Sequence, residues 1–323
     1  MQPFCDQDHL NLRVHAREWV DQKLPAIRKR KNSLEQSAVD LAKALGAEGF
    51  LKYAVPAEFG GVRRDVQARD LCVLREELAR GDALADTMFA VQALGSYPIA
   101  LAGNHEQKNL LLPAIAEGNS IAAFAITEAE AGSDVASLQA RAVRRGQEYR
   151  LSGTKRFISN AGIADRYVVF ASTDPGKKGH GITAFLVDAK LPGLTIKEKT
   201  ELLSPHPIGV VEFNECRLPT EALLGAEGQG LDIAFATLDL LRCTVGAAAV
   251  GFAQRALDEA IRYSKERRQF GRPIAEFQGI EFKLADMATE LEASRLLVYQ
   301  AAWAHDCAQG DAKKKSSMAK LYA

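Results

Sequence analysis

Two short segments of the sequence combine small residues, a hydroxyl and an amide in a way that suits a bound cofactor. The first runs from Ala122 to Asp134, where an apolar strand-like stretch gives way to Ala131, Gly132 and Ser133. Small residues allow the backbone to approach a flat or charged ligand closely. The second segment, Gly153-Thr-Lys-Arg-Phe-Ile-Ser-Asn160, ends in a turn that offers a hydroxyl and an amide. The pattern predicts a cofactor-cradling loop with a second turn nearby in sequence.

Composition limits the class of protein. The chain has 323 residues, of which 47% are hydrophobic and 25% charged, and this is typical of a globular protein with two or three domains. Its 41 basic residues balance its 41 acidic residues, so no overall positive field favours nucleic acid or an anionic membrane surface. We therefore expect neither a nucleic acid nor a membrane as a partner.

Cysteine and histidine usage argues against a disulfide framework and a metal site. The five cysteines lie far apart without CxxC spacing, and their odd number favours reduced thiols. The six histidines form no HExxH pattern, so we expect no metal. No apolar run approaches the roughly 20 residues that span a bilayer, and the N-terminus lacks a signal-peptide pattern. These observations predict a cytoplasmic protein.

Hydrophobic periodicity divides the chain into three parts. Residues 1–118 have a helical period, residues 119–226 alternate as short strands, and residues 227–323 are helical again. The predicted strands are Ile121–Thr127, Leu138–Val143, Tyr149–Gly153, Arg166–Ser172, Gly181–Val187, Leu194–Glu198 and Val210–Phe213. Because no helix separates them, they favour an antiparallel barrel or sandwich over a dinucleotide-binding fold. The predicted fold class is α+β and mostly α, with a middle β domain between an N-terminal helical domain and a C-terminal helical bundle.

Local signals predict three further details. Ser33-Leu-Glu-Gln36 has the form of a capping box at the start of a helix. The glycine string Gly225-Ala-Glu-Gly-Gln-Gly230 lacks the order of a phosphate loop, and we interpret it as a turn from the last strand into a helix. Gly246 and Gly251 lie within a long helical pattern and predict close approach by another helix.

Four longer phrases, in this order, resemble the acyl-CoA dehydrogenase family. They are Ile126–Asp134 (Ile-Thr-Glu-Ala-Glu-Ala-Gly-Ser-Asp), Gly153–Asn160, Gly251–Ala260 (Gly-Phe-Ala-Gln-Arg-Ala-Leu-Asp-Glu-Ala) and Arg267–Ile274 (Arg-Arg-Gln-Phe-Gly-Arg-Pro-Ile). The resemblance extends over nearly the whole chain, including the order of a helical, a β and a second helical domain. It implies an FAD-dependent oxidoreductase.

The resemblance also implies a set of cofactor contacts. The residues that match the family's isoalloxazine and ribityl contacts are Phe124, Ile126, Thr127, Gly132, Ser133, Phe157 and Ser159. Phe157 stands where a tryptophan is common and Ser159 where a threonine is common. A loop that the family supplies from a neighbouring subunit to the FAD pyrophosphate and adenine is matched by Arg267, Gln269, Phe270 and Gln278. A guanidinium suits phosphate because it offers paired donors, and the alternative is that Arg267 places positive charge at a helix end.

For the substrate, the resemblance implies an acyl-CoA or an acyl-carrier thioester. Ser133 matches a residue that contacts the thioester arm, and Asp239 and Arg242 match a helix pair at the pantetheine and adenine end. Three residues apart on one helical face, Asp239 and Arg242 also suit a plain ion pair. The family further implies an electron-transferring flavoprotein as partner and a homo-oligomer, either a dimer or a tetramer.

The implied reaction is α,β-dehydrogenation, in which a carboxylate removes the α-proton while a hydride leaves the β-carbon. In most members the glutamate base follows the helix that begins here near Ser316, and this sequence ends before it; some members place it where this chain has Leu241. We name no catalytic residue, and Glu128 and Glu130 are the first carboxylates to test. Two explanations stay open, a shortened dehydrogenase and a flavin-binding or assembly subunit without activity; a related flavin oxidase or monooxygenase is a more distant alternative.

Overall fold

The computed structural model describes residues 3–29 and 32–323, and it is 57% helical. The helices are α1 (Gln7–Gln22), α2 (Leu24–Arg28), α3 (Leu34–Ala47), α4 (Ala68–Gly81), α5 (Ala83–Ala102), α6 (His105–Ala116), α7 (Gly230–Glu266), α8 (Gln278–Asp306) and α9 (Ala312–Tyr322). The strands are β1 (Ala122–Ala125), β2 (Arg141–Arg145), β3 (Glu148–Ser159), β4 (Arg166–Ser172), β5 (Ile182–Asp188), β6 (Leu194–Lys199), β7 (Ile208–Pro219), β8 (Leu223–Leu224), β9 (Arg268–Gln269) and β10 (Arg272–Pro273). The predicted succession of helical, β and helical parts is confirmed.

The described residues form two compact units. The first comprises those of Met1–Ala26, Gln67–Asp86 and Asp239–Ala323, and the second those of Ile27–Val66 and Thr87–Leu238. The first unit contains α1, α4, α8 and α9, and the second contains β1 to β8. Helices α2, α5 and α7 contribute residues to both units.

Helix packing in the first unit depends on small residues of α7. A methyl group added at Gly251 would lie 2.2 Å from the backbone oxygen of Glu76 in α4, and one added at Gly246 would lie 2.8 Å from the Val298 side chain in α8. Both distances are shorter than van der Waals contact, so α7 comes this close only because these residues lack a side chain. The predicted close approach is confirmed.

Two local predictions have different outcomes in detail. The Ser33 side chain accepts a hydrogen bond from the Gln36 backbone N–H, so it caps α3 as expected. The Gln36 side chain, however, donates to Asp40, and the reciprocal half of a capping box is therefore missing. Gly225 and Gly228 have φ angles of 71° and 83°, and α7 begins at Gly230, so this glycine string turns the chain into the helix as predicted.

The sheet of the second unit has the strand order β6-β7-β3-β2-β4-β5-β8, and β1 pairs with β4. All seven predicted strands are present, with β3 and β7 longer than expected and the short β8 not foreseen. The sheet is mixed, since β1 runs parallel to β4 and Arg141 of β2 pairs in parallel with Ser172 of β4. The other pairs in this sheet are antiparallel as predicted.

Helix α7 tests the expectation that the sequence has no run long enough for a membrane. By length and composition alone, α7 contains an 18-residue stretch that is apolar enough to cross a membrane. The expectation was therefore wrong for this helix. However, 61% of the stretch is buried inside the structure. A helix in the core of a globular protein can have the same composition as a membrane-spanning helix, because each is surrounded by apolar groups.

Candidate functional site

The end of β3 has an unusual backbone at two residues of the second predicted segment. Phe157 and Asn160 have φ angles of 55° and 65°, a region that side chains other than glycine seldom adopt. The pairing of β3 with β7 shifts register between Lys155 and Ile158, and the Phe157 ring is 58% exposed. A large apolar side chain in a strained conformation and half in solvent gains little for the fold, and such strain is typical of functional sites.

Residues 126–140 join β1 to β2, and we call them the cradle loop. Two hydrogen bonds attach its beginning to β3: Lys155 Nζ lies 3.0 Å from the Ile126 oxygen, and the Arg156 N–H donates to the Thr127 oxygen at 2.8 Å. The structure therefore brings the two predicted segments together, with Ile126 and Thr127 beside the residues that precede Phe157.

A buried ion pair also holds the far end of the cradle loop. Lys155 is 0% exposed and Glu128 8% exposed, and Lys155 Nζ lies 2.7 Å from Glu128 Oε1. Glu128 also accepts backbone hydrogen bonds from Gln139 at 2.5 Å and Ala140 at 3.0 Å. Burial lowers the pKa of Lys155, while the charge and hydrogen bond of Glu128 oppose this. With its oxygens occupied by three donors, Glu128 is a structural carboxylate and is poorly suited to remove a proton from a substrate.

The remaining predicted contacts in β1 and the cradle loop divide into buried and exposed residues. The side chains of Phe124 and Ile126 belong to the hydrophobic core, where the Phe124 ring centroid lies 4.8 Å from that of Phe170, so only their backbone is available to a ligand. Gly132 and Ser133 are exposed, and a methyl group added at Gly132 would meet no atom within 4 Å. Packing among the described residues therefore does not require glycine at this position.

Ser159 has a contact that sequence reasoning did not foresee. Its Oγ lies 3.2 Å from Nε2 of His206, which belongs to the segment between β6 and β7. The neighbouring Asn160 is fully buried, donates from Nδ2 to the Ala122 oxygen at 3.0 Å, and leaves its Oδ1 without a partner in the described part of the chain. Since His206 is 47 residues away from Ser159, no local pattern could have revealed this pair.

The predicted arginine loop forms a small hairpin in the first unit. Strands β9 and β10 are joined by Phe270 and Gly271, whose φ angles are 50° and 81°, and Phe270 is 93% exposed. Positive φ at both central residues is the geometry of a tight hairpin turn. Phe270 therefore adopts a strained backbone at the tip of the hairpin, where its ring is exposed to solvent. Arg267, Gln269 and Gln278 are exposed as well. The Arg267 backbone N–H donates to the Tyr263 oxygen at the end of α7, and within the described residues the Arg267 guanidinium has no hydrogen-bond or ion-pair partner.

Asp239 and Arg242 lie on one face of α7. Their side chains form an ion pair of 2.7 Å, and Lys313 Nζ lies 3.5 Å from the second Asp239 oxygen. The intrahelical pair that the spacing allowed is therefore present, and a role in substrate binding stays a prediction. Leu241, the position at which some relatives carry the base, is a buried apolar side chain.

These residues fit the chemistry of FAD. In the second unit, the open space beside Gly132 and the exposed ring of Phe157 suit a flat ring system. In the first unit, the unpaired guanidinium of Arg267 suits a diphosphate, and the exposed ring of Phe270 suits a purine.

Comparison with known proteins defines the class of protein. Models of the acyl-CoA dehydrogenase N-terminal, middle and C-terminal domains match residues 6–119, 123–216 and 228–323. The chain belongs to the acyl-CoA dehydrogenase family. Members of this family are oxidoreductases acting on CH–CH groups, and they carry out FAD-dependent dehydrogenation of acyl-CoA.

Individual relatives are similar over almost the whole chain. An acyl-CoA dehydrogenase of Bacillus subtilis is 38% identical over 320 residues, which are 98% of this chain and 84% of the relative. A chain from a structural study of the electron transferring flavoprotein of Acidaminococcus fermentans has a TM-score of 0.92 and 35% identity, covering 100% of this chain and 85% of the other. A glutaryl-CoA dehydrogenase from Mycobacterium smegmatis in complex with FADH2 has a TM-score of 0.88 and 30% identity, covering 98% and 81%.

Proposed function

We propose that this protein binds FAD through the cradle loop and the end of β3 and takes part in the α,β-dehydrogenation of an acyl thioester. The observation that carries the proposal is the joining of these two segments by Lys155 beside the exposed ring of Phe157. Bound FAD would accept the hydride that leaves the β-carbon of the substrate. Thr127, Gly132, Ser133 and Ser159 supply small or hydroxyl-bearing contacts, whereas Phe124 and Ile126 supply backbone groups only.

Further residues are assigned to the phosphates and to the substrate. Arg267 with its permanent charge binds the pyrophosphate of FAD in a neighbouring subunit, and Phe270, Gln269 and Gln278 line the adenine side. Ser133, Asp239 and Arg242 contact the thioester arm of an acyl-CoA or an acyl-carrier substrate. These assignments rest on matched positions. The side chains are exposed at Ser133 and in the arginine loop, whereas Asp239 and Arg242 are partly buried.

The first experiment is to purify the protein and measure its visible spectrum and its uptake of added FAD. We expect a yellow protein with flavin bound in a defined ratio to the chain. A folded, colourless protein that takes up no FAD would contradict the assignment. A Gly132→Leu variant fills the open space beside the cradle loop and is expected to weaken FAD binding without loss of secondary structure.

We also propose that none of these 323 residues is the catalytic base. Two features support this: Glu128 is held by Lys155 and two backbone N–H groups, and Leu241 is apolar. The FAD-loaded protein would then bleach slowly or not at all when mixed anaerobically with acyl-CoA. Rapid bleaching would contradict this proposal, and loss of that bleaching in Glu130→Gln would identify the base. Binding of acyl-CoA without bleaching would favour the alternative of a flavin-binding or assembly subunit.

A homo-oligomer and an electron-transferring flavoprotein complete the proposal. Large apolar side chains are exposed along the last turns of α7, the hairpin and the first half of α8: Phe252, Tyr263, Phe270, Phe282 and Met287. Such a surface suits a second copy of the chain. A flavoprotein partner is proposed because the relative from Acidaminococcus fermentans comes from a study of such a protein. Sedimentation of a monomer at micromolar concentration would contradict the oligomer.

A further inference from the structure

A histidine outside the matched motifs contacts a hydroxyl of the proposed cofactor site. His206 Nε2 lies 3.2 Å from Ser159 Oγ, and its Nδ1 lies 3.4 Å from the backbone oxygen of Ser204. The contact is short in space because Ser159 pairs with Ile208 in the ladder between β3 and β7. His206 is therefore held at both ring nitrogens, beside the last residue of β3.

The two partners of His206 determine which nitrogen carries the proton. A backbone oxygen only accepts hydrogen bonds, so the nitrogen that faces Ser204 must be the N–H donor. In a neutral imidazole the other nitrogen is then an acceptor, and Nε2 accepts a hydrogen bond from the Ser159 hydroxyl. Burial lowers the pKa of His206, with the Ser204 hydrogen bond opposing it, so the ring is neutral near neutral pH.

The surroundings of His206 leave Ser159 as the partner of Nε2. The ring lines a cavity of about 370 Å³ in the second unit, together with the charged residues Glu35, Lys199 and Glu201. Glu35 and Lys199 pair with each other at 2.5 Å. In the part of the chain that the structure describes, Ser159 Oγ is the hydrogen-bond partner of Nε2.

We propose that His206 is a positioning residue for the flavin: its Nε2 accepts a hydrogen bond from the Ser159 hydroxyl, so that Ser159 Oγ presents a lone pair to the isoalloxazine ring. The inference rests on the proposed function, because that function assigns Ser159 to the cofactor. Serine is not branched at Cβ and its hydroxyl turns freely, so an external acceptor is needed to orient the proton.

This orientation has a consequence for the two redox states of the cofactor. Reduction converts an acceptor nitrogen of the isoalloxazine ring into an N–H donor. An oxygen that offers a lone pair therefore binds the reduced ring better, and an oxygen that offers its proton binds the oxidised ring better. One neutral hydrogen bond corresponds to about a fivefold change in the ratio of the two affinities.

The test is the midpoint potential of the bound flavin at neutral pH, measured by spectroscopic redox titration of the full chain with FAD. We expect His206→Phe to lower the preference for reduced over oxidised flavin by about fivefold. His206→Gln keeps an acceptor oxygen and should retain most of the preference. His105→Gln removes an exposed histidine elsewhere in the second unit and should change nothing.

The deciding measurement is the effect of His206→Phe on the flavin midpoint potential when the Ser159 hydroxyl is absent. In a Ser159→Ala background, His206→Phe should have no further effect on the potential. An equal effect in both backgrounds, or no effect in either, would overturn the inference while leaving FAD binding and the proposed function intact. Failure of the unaltered chain to bind FAD would instead overturn the proposed function. If His206→Phe does not fold, His206→Leu in both backgrounds gives the same comparison.

Discussion

The ammonium group of Lys155 lies 2.7 Å from a carboxylate oxygen of Glu128, and both side chains are buried. Removing one member of such a pair leaves a charge in the interior without a partner. We expect Lys155→Met to lower the free energy of unfolding by about 3 kcal/mol and to weaken FAD binding, because the Ile126 oxygen of the cradle loop loses its attachment to β3. Urea unfolding followed by circular dichroism measures the first effect.

The control is Lys190→Met, which removes an exposed lysine of the second unit and should change stability by less than about 0.5 kcal/mol. The double variant Lys155→Met with Glu128→Met should recover much of the loss, since no charge then stays buried alone. A double variant as unstable as the sum of the two single ones would show that the pair is not coupled.

Because the backbone at Phe157 is strained, we expect substitutions that relieve the strain to raise stability while they weaken cofactor binding. Glycine adopts the observed φ of 55° without steric cost, so Phe157→Gly should lose little stability or gain up to about 1 kcal/mol without FAD. Its affinity for FAD should fall by about fivefold with the loss of the aromatic face. Phe157→Leu keeps the strain and loses the ring, and should weaken binding without the gain in stability. Unchanged FAD affinity in both variants would show that Phe157 does not contact the cofactor.

We expect Arg267, beside the hairpin, to contribute to FAD affinity but not to the stability of the chain. Arg267→Ala is expected to weaken FAD binding about tenfold in fluorescence titrations, because one charge-assisted phosphate contact is lost. Stability should hardly change, as the side chain has no partner in the described part of the chain. Arg255→Ala, which breaks an exposed pair with Glu259, is the matched control and should bind FAD normally. Equal FAD affinity for both variants would favour a role for Arg267 at the helix end.

Glu77 in α4 predicts sensitivity to acid in the first unit. Burial alone would raise its pKa, but the hydrogen bond of Arg17 and the charges of Arg13, Arg17 and Arg80 outweigh it and lower the pKa from the ordinary value of 4.5. A carboxyl with a lower pKa in the folded state stabilises the fold above its unfolded pKa, and this stability is lost as pH falls through the folded pKa.

Stability should therefore decline below about pH 4.5, and Glu77→Gln should flatten that decline while being less stable at neutral pH by about 3 kcal/mol. Unfolding curves from about pH 3 to about pH 7 measure both effects. Glu106→Gln, at an exposed position in the first turn of α6, serves as control. An identical acid response of Glu77→Gln and the unaltered chain would contradict the assignment.

Much of this protein could be predicted from its sequence because the signals are local. The N-cap at Ser33, the strand Arg166–Ser172 and the turn at Gly225 depend on residues that are neighbours along the chain. The order of the matched phrases along the chain indicates the family and its FAD without any tertiary information. Gly251 predicted that another helix approaches α7 closely, but the sequence did not show that the contact is with Glu76.

The tertiary structure alone decided what each charged or polar group of the site does. Glu128 resembled a free carboxylate in the sequence, and it became a structural one because folding placed Lys155, 27 residues away, against it. His206 had no motif of its own, and its role follows from strand pairing that places it beside Ser159. The physical reason is that hydrogen bonds and ion pairs act over a few ångströms between groups that are distant along the chain, and only the folded backbone determines which groups meet.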